Sequence, residues 1–393
     1  MPGGRSGYRQ RVRPLRTLVT GATGYVGSRL VTALLDAGHD VVVAGRDPRR
    51  LGRFGWFDDV QSVRLDVHDA ASVRAALAEA GALDVLYYLV HGIGEAGYRE
   101  ADNAAAADVA AAARDAGVRR IVYLGGFVPA ADGLSEHLNG RAEVADALNI
   151  ADGPELVWLG AAMIIGAGST SFEMLRYVAD RFPVIPTPAW SANPMDPISI
   201  RDVLHFLVSA ADAERVPPGA YDIHGPQTTT YGELLQRYCR IAHRRRPQLP
   251  VRGVDIGVVS RCSAALLPIP AGLTADLVAS LDFPMTAAEP RLGDLVDPPP
   301  GGPIGIDEAI ARSLSPAPPR PVDDLADPHH LADTDPDWAG GDTLRIRRLA
   351  AAVTPAAVHP ALGLLDAVPG PVAGAVRTGL DTLLGLVPGI MRA

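Results

Sequence analysis

The sequence predicts an α/β fold built on a doubly wound parallel sheet. Three observations carry that expectation. Short apolar runs alternate with helical patterns from residue 15 to 125. The segments between successive runs are long enough for the helices that parallel neighbours require. The first run passes into a helix through a glycine-rich turn, the opening of a βαβ unit. The strands expected in order are 16–20, 41–45, 62–66, 84–90 and 120–125, rich in the Val, Leu, Ile and Tyr that suit a pleated sheet. Between them the amphipathic or alanine-rich stretches 25–37, 70–80 and 99–116 read as helices. A helix near 134–148 and an apolar strand within "ELVWLGAAMIIGAG" (155–168) continue the alternation.

After residue 168 the rhythm loosens. "SFEMLRYVADRF" and "SIRDVLHFLVSAADA" read as helices, "GAYDIHGP" as a strand, and "TYGELLQRYCRIAH" as a helix that Thr230 and Glu233 open as a capping box. Two proline-rich links, 296–303 and 315–322, precede a tail rich in Ala, Leu, Pro and Gly. The expected organisation is a flexible basic N-terminus (1–14), a sheet domain (15–168) whose sheet later segments complete, a small α/β lobe (169–315), and a proline-rich linker with an irregular helical tail (316–393).

Composition narrows the function classes. The net charge of −9 over 393 residues argues against a nucleic-acid partner, since phosphate binding needs a basic surface. Cys239 and Cys262 are too few for a disulfide framework and fit a reducing, cytoplasmic setting. No run of about 18–20 apolar residues is present, so no transmembrane segment is expected. Prolines and glycines interrupt the near-uncharged stretches of the tail, where an interfacial or partner-binding helix is the alternative to a loosely packed remnant. All 36 residues counted as Lys or Arg are arginine. The absence of lysine excludes Schiff-base chemistry and a lysine that tunes a catalytic tyrosine.

The glycine turn, Gly21-Ala22-Thr23-Gly24-Tyr25-Val26-Gly27, has the spacing GxxGxxG. Gly21 permits a tight turn, Gly24 lets backbone approach a pyrophosphate, and Gly27 lets helix and strand pack closely. Phosphates then meet helix amides at the positive end of the helix dipole. This is the signature of a Rossmann-type dinucleotide site, and its position between a strand and a helix supports it. Gly21, Thr23, Gly24, Tyr25, Val26 and Gly27 are therefore expected to bind the cofactor. At the end of the second strand, Ala44-Gly45-Arg46-Asp47 places glycine where an acidic residue would bind ribose hydroxyls. Arg46 suits a 2′-phosphate, and Asp47 reads as the cap of the next helix, with Pro48 following. NADP(H) is thus favoured, with NAD(H) as the alternative. Asp66 and Val67 close the third strand and Leu89, Val90 and His91 the fourth, at the sheet edge where ligands bind; for Asp66 a helix-capping role is the competing reading.

Taken together, "VTGATGYVGSRLV", "YYLVHG", "RRIVYLGG", "SEHLNGRAEV", "MIIGAGSTSFEMLRY" and "PISIRDVL" resemble the atypical short-chain dehydrogenase/reductase family. The closest likeness is to the NmrA-like NAD(P)H-binding branch, related to sugar-nucleotide epimerases. The likeness spans roughly residues 15–315 and implies a Rossmann domain, a small C-terminal substrate lobe and a cleft between them. By family analogy a homodimer is expected. "DPDWAGGDTLRIRRLAAAVTPAAV" (335–358) resembles the start of a further ligand-binding module, expected here to be truncated.

Catalytic members of that family carry a tyrosine four residues before a lysine. The matching positions here are His137 and Arg141. Arginine can bind ribose hydroxyls or negative charge but does not shuttle a proton. Histidine can, near neutral pH. His137 and Arg141 are the catalytic candidates, against the alternative that both are ordinary surface residues. Tyr88 reads as a core aromatic. Ser171, Glu173 and Arg176 are candidates for the cleft, with Glu173–Arg176 equally an i, i+3 pair. The run His243–Arg246 reads as solvated charge at a helix end. His329 and His330 lack metal-ligand spacing, and no metal is expected. The functional expectation is an NADP-dependent oxidoreductase that passes hydride to a small carbonyl or activated alkene. A non-catalytic NADP(H) sensor is the alternative, and an epimerase-like enzyme the second.

Overall fold

The computed structural model describes residues 13–92, 98–128, 136–253, 257, 267–288, 291–353 and 368–385. The basic N-terminus up to residue 12 lies outside them. The first half alternates β1 (Arg16–Val19), α1 (Tyr25–Asp36), β2 (Asp40–Gly45), β3 (Gln61–Arg64), α2 (Ala70–Ala80) and β4 (Val85–Tyr88). It continues with α3 (Tyr98–Asp115), β5 (Arg120–Gly126), α4 (Glu136–Leu148) and β6 (Glu155–Ala161). After β7 (Ile164–Ile165) and α5 (Thr170–Arg181) come β8 (Ile185–Thr187), β9 (Pro194–Met195), β10 (Ile198–Ser199), α6 (Ile200–Ser209) and β11 (Gly219–Ile223). β12 (Thr229–Thr230), α7 (Tyr231–Ile241) and β13 (Gln248–Pro250) follow.

Seven strands form one sheet in the order β3-β2-β1-β4-β5-β6-β11. Every pairing within it is parallel. The order reverses direction between β1 and β4, the switch point at which such sheets bind ligands. β4 shows why parallel central strands read as unbroken apolar runs: all of Val85, Leu86, Tyr87 and Tyr88 are buried, on alternating faces. On one face Val19, Val43 and Tyr87 pack with Leu30 and Leu34 of α1 and Val203 and Leu207 of α6. On the other, Leu18, Val42 and Tyr88 pack with α2, α3 and α4. The alanines of α3 pack at that face, where small side chains permit close helix approach.

β4 is shorter than expected because the chain leaves the sheet at Leu89 to cross the glycine turn. The Thr20 hydroxyl holds that crossing: it donates to Tyr87 O at 2.9 Å and accepts from Leu89 N at 3.2 Å. The single strand expected within 155–168 is two, since the chain turns out of the sheet after Ala161 and β7 pairs with β10 instead. "GAYDIHGP" supplies β11, which completes the sheet. The lobe's own core joins Phe172 and Leu175 of α5, Leu234 and Leu235 of α7, and Ile306 and Ile310 of the helix Ile306–Ser313.

Thr230 accepts from Glu233 N at 3.2 Å, but the Glu233 carboxylate takes the Thr229 hydroxyl at 3.0 Å, so only half of the capping box forms as expected. The arginines after α7 are not simply solvated: Arg246 donates to Ala179 O at 2.9 Å and Asp180 O at 3.3 Å, the carbonyl end of α5, and Arg244 pairs with Asp180 at 3.4 Å. They offset the dipole of α5 rather than that of their own helix.

The segment expected as linker returns to the sheet domain as a packed strap. Arg29 of α1, 2% exposed, donates to Pro328 O and His330 O, each at 2.9 Å, and to both carboxylate oxygens of Asp335 at 2.9 and 2.7 Å. Arg181 of α5 holds Asp342 at 2.6 Å. The helices Gly341–Val353 and Gly370–Gly385 pack on each other and on α5. Among the described residues no helix is long and apolar enough to cross a membrane.

Candidate functional site

The carboxyl ends of the strands present the candidate residues in spatial order. Asp66 and Val67 follow β3, Arg46 follows β2, the glycine turn follows β1, and Leu89, Val90 and His91 follow β4. Neighbouring strands lie about 4.8 Å apart, so this edge is a track of roughly 15 Å from Asp66 to His91.

In the glycine turn, Gly21 has φ +70°, and a Cβ there would meet Leu89 O at 2.6 Å. At Gly27 a Cβ would meet Gly21 O at 2.1 Å, so α1 reaches this close to the turn only with glycine. Gly24 caps α1 with no side-chain hydrogen bond, and the first turn of α1 has no acidic residue. The amides of Tyr25, Val26 and Gly27 have no acceptor within the helix. The N-terminus of α1 is thus an uncapped, positively polarised end.

It opens into a cavity of about 360 Å³. Gly21, Gly24, Tyr25, Val26, Gly27, Leu89, His91 and Arg141 line its sheet side, and Ser169, Thr170 and Ser171 stand at the entry to α5. Thr23, Arg46, Asp66, Val67 and Val90 lie outside the lining. Thr23 and Arg46 are exposed. Asp47 caps the turn of 3₁₀-helix that starts at Pro48, accepting from Arg49 N at 3.2 Å, and pairs with the Arg49 guanidinium at 3.0 Å. Asp66 does not cap α2, a role that belongs to Asp69; it accepts from His68 N at 3.1 Å.

Arg141 and His91 meet at the cavity wall. The guanidinium donates to His91 Nε2, which lies 3.3 Å from Leu124 O. Arginine only donates, so Nε2 accepts in that contact, whereas toward the Leu124 carbonyl the same nitrogen can only donate. Arg141 is held from behind, its carbonyl accepting from the Tyr123 hydroxyl at 3.2 Å. Asp102 fixes the turn that carries His91, accepting from Gly92 N at 2.9 and 3.1 Å. Arg141 Nε is buried and has no hydrogen-bond partner among the described residues. His137 lies one turn earlier on α4; its side chain is outside the described residues.

Tyr88 is a core residue, 1% exposed. Of the three cleft candidates on α5, only Ser171 lines the cavity. Glu173 is fully buried and faces the strap, accepting from Gly168 N at 3.1 Å and Gly340 N at 3.0 Å, with Arg176 3.4 Å away. Burial pushes its carboxyl above the usual range, against the charge of Arg176 and the two amides. His329 is buried between the Ser199 hydroxyl at 2.9 Å and Asp327 at 2.6 Å. No cluster that could hold a metal occurs among the described residues.

The far wall was not legible. Met163, Met174, Met195 and Met285 come from four separate segments, and Leu273 and Leu277 from the helix Ala271–Ser280. Only the i, i+4 spacing of those leucines could have been read in advance.

Comparison with known proteins accords with this architecture. Residues 21–147 match the model of a family described as NAD(P)H-binding. No curated relative matches the chain by sequence. Among solved structures, a nucleoside-diphosphate-sugar epimerase from Staphylococcus aureus is similar at 13% identity and a TM-score of 0.61, covering 76% of this chain and 100% of that one. The triphenylmethane reductase of Citrobacter sp., complexed with NADP(H), is similar at 19% identity and a TM-score of 0.59, covering 75% and 98%. The UDP-glucose 4-epimerase of Bifidobacterium longum, with NAD+ and UDP, reaches 14% identity and a TM-score of 0.54, over 75% and 96%. At such identities the likeness is one of fold. The sheet domain thus carries an NAD(P)H-binding region on a Rossmann-like α/β fold whose neighbours include reductases and epimerases.

Proposed function

We propose that the chain is an NADP(H)-dependent oxidoreductase acting on a small carbonyl or activated alkene. The observation that carries this reading is the single cavity joining the uncapped end of α1 to the Arg141–His91 pair and the lobe. A pyrophosphate fits the open end of α1, where three amides lack acceptors and no side chain competes. Arg46 fits a 2′-phosphate: it is exposed at the end of β2, and Asp47 is engaged by Arg49. The bound nucleotide supplies hydride chemistry. The protein's part is electrostatic. Arg141 stabilises negative charge growing on the substrate oxygen, through a guanidinium that stays protonated throughout. The proton that completes reduction comes from His137 or from water.

The test is NADPH oxidation by purified protein against quinones, enones and aldehydes, alongside calorimetric binding of NADPH and NADH. Arg141→Leu should lower kcat by about 100-fold with NADPH affinity within a few-fold of wild type. Arg46→Asp should weaken NADPH and favour NADH; unchanged NADPH affinity removes Arg46 from the site. Tight NADPH binding with no turnover of any of these compounds supports the sensor reading instead.

A further inference from the structure

Beyond the track for the nucleotide, the cavity changes character. Met163, Met174, Met195 and Met285 wall it together with Leu273 and Leu277. Four of the chain's six methionines meet here from the turn after β6, from α5, from β9 and from the segment after the helix Ala271–Ser280. The last two are locked together: Met285 N donates to Pro194 O at 2.9 Å and Asp196 N to Met285 O at 2.9 Å. Apart from the Arg141–His91 pair, every lining residue is uncharged, and Arg141 is the cavity's one full cation among the described residues.

Resting on the oxidoreductase reading, we infer that the substrate is an uncharged, hydrophobic carbonyl compound, and that phosphorylated or carboxylated substrates are excluded. A phosphate or carboxylate against the methionine and leucine side chains would lose its hydration with no cation there to replace it. The Arg141 guanidinium meets the carbonyl oxygen and is not free to serve a second anion. An aromatic or aliphatic body suits the wall, because unbranched thioethers adapt to irregular apolar shapes and make favourable sulfur–aromatic contacts. Bound NADPH would supply the hydride for the new C–H bond and be released as NADP+. Arg141 would meet the electron pair that moves from the C–O π bond to oxygen, which takes one proton. The methionines then set specificity without touching the reacting atoms.

The experiment compares 2-naphthaldehyde, 6-carboxy-2-naphthaldehyde and UDP-glucose for binding to NADP+-loaded protein by saturation-transfer NMR and calorimetry, with turnover read separately. The neutral aldehyde should bind about 100-fold more tightly than its carboxylate, and UDP-glucose should not bind. Met163→Lys, at a half-buried position where a long side chain is tolerated, should raise affinity for the carboxylate by roughly 10-fold and leave the melting temperature within a few degrees. Equal binding of the two aldehydes, binding of UDP-glucose, or no binding of the neutral aldehyde overturns the inference. Binding of the neutral aldehyde without turnover supports it while counting against the oxidoreductase reading. If NADP+ itself does not bind, the same comparison on nucleotide-free protein decides the question.

Discussion

Gly27 carries the most stringent local constraint in the site. A methyl group there would sit 2.1 Å from Gly21 O, a backbone atom, so neither partner can swing aside as a side chain would. Gly27→Ala must therefore push α1 away from β1. The expected cost is about 1–3 kcal/mol of stability, read by urea denaturation. NADPH affinity should fall further than stability does, because the amides of α1 move with it. Gly38 is the control: its φ is +85°, but nothing lies within 4 Å of a Cβ there. Gly38→Ala should destabilise through backbone strain and leave nucleotide affinity intact. Equal affinity losses at both positions would mean that the packing of α1 on the turn does not set the site. Such residue-level constraints were legible in the sequence, since GxxGxxG between strand and helix encodes backbone geometry over seven positions. The pairing of Arg141 with His91 was not. Fifty residues separate them, and the packing of α4 on α3 and β5 brings them together.

At the scale of elements, the strands and helices of the first half were readable because each buries a face with its own period. What escaped were contacts that depend on where one element ends relative to another. The arginines after α7 belong to the carbonyl end of α5. The histidine pair in the tail is another case. His329 bridges Ser199, the last residue of β10 and the N-cap of α6, to Asp327, which also pairs with Arg312 at 2.7 Å. Serine, histidine and aspartate stand in the order of a hydrolytic triad, yet His329 is 0% and Ser199 1% exposed. The Ser199 hydroxyl is also committed to Arg201 N at 3.2 Å, and neither residue lines the large cavity. The cluster is a structural latch. Burial opposes ionisation of Asp327, but the hydrogen bonds and charges of His329 and Arg312 outweigh it and hold the carboxyl well below the usual range. A depressed carboxyl stabilises the fold above its unfolded pKa, about 3.9, and that contribution is lost as pH falls through the folded value. Wild type should accordingly lose stability between about pH 4 and pH 2 more steeply than Asp327→Asn, as thermal melts across that range would show. Parallel curves would remove the latch from the acid response.

For the whole molecule, the strap bonds to both the sheet domain and the lobe, through Arg29 of α1 on one side and Glu173 and Arg181 of α5 on the other. Its centre is Arg29 and Asp335, whose side chains are 1% and 3% exposed. The guanidinium also lies over the Tyr25 ring, 4.1 Å from its centre, so the residue that fastens the strap sits directly behind the nucleotide turn. Stability and nucleotide affinity should therefore be linked through this one ion pair. Asp335→Ala leaves Arg29 buried with its charge uncompensated and removes the acceptor for Ala332 N, which bonds Asp335 at 2.8 Å. The expected loss is about 3–5 kcal/mol, accompanied by weaker NADPH binding as Arg29 shifts and releases Tyr25. Paired substitution to Arg29→Met and Asp335→Leu removes both charges and should recover much of the stability, because a desolvated ion pair adds little over an apolar pair of similar volume. It should not recover the guanidinium's contacts to the strap carbonyls of Pro328 and His330, nor those to Tyr25 O and Ala167 O. The double variant should thus melt near wild type yet show faster proteolysis within residues 320–342. A loss below about 1 kcal/mol for Asp335→Ala, typical of an exposed pair, would mean that the strap lies on the domain without fastening it.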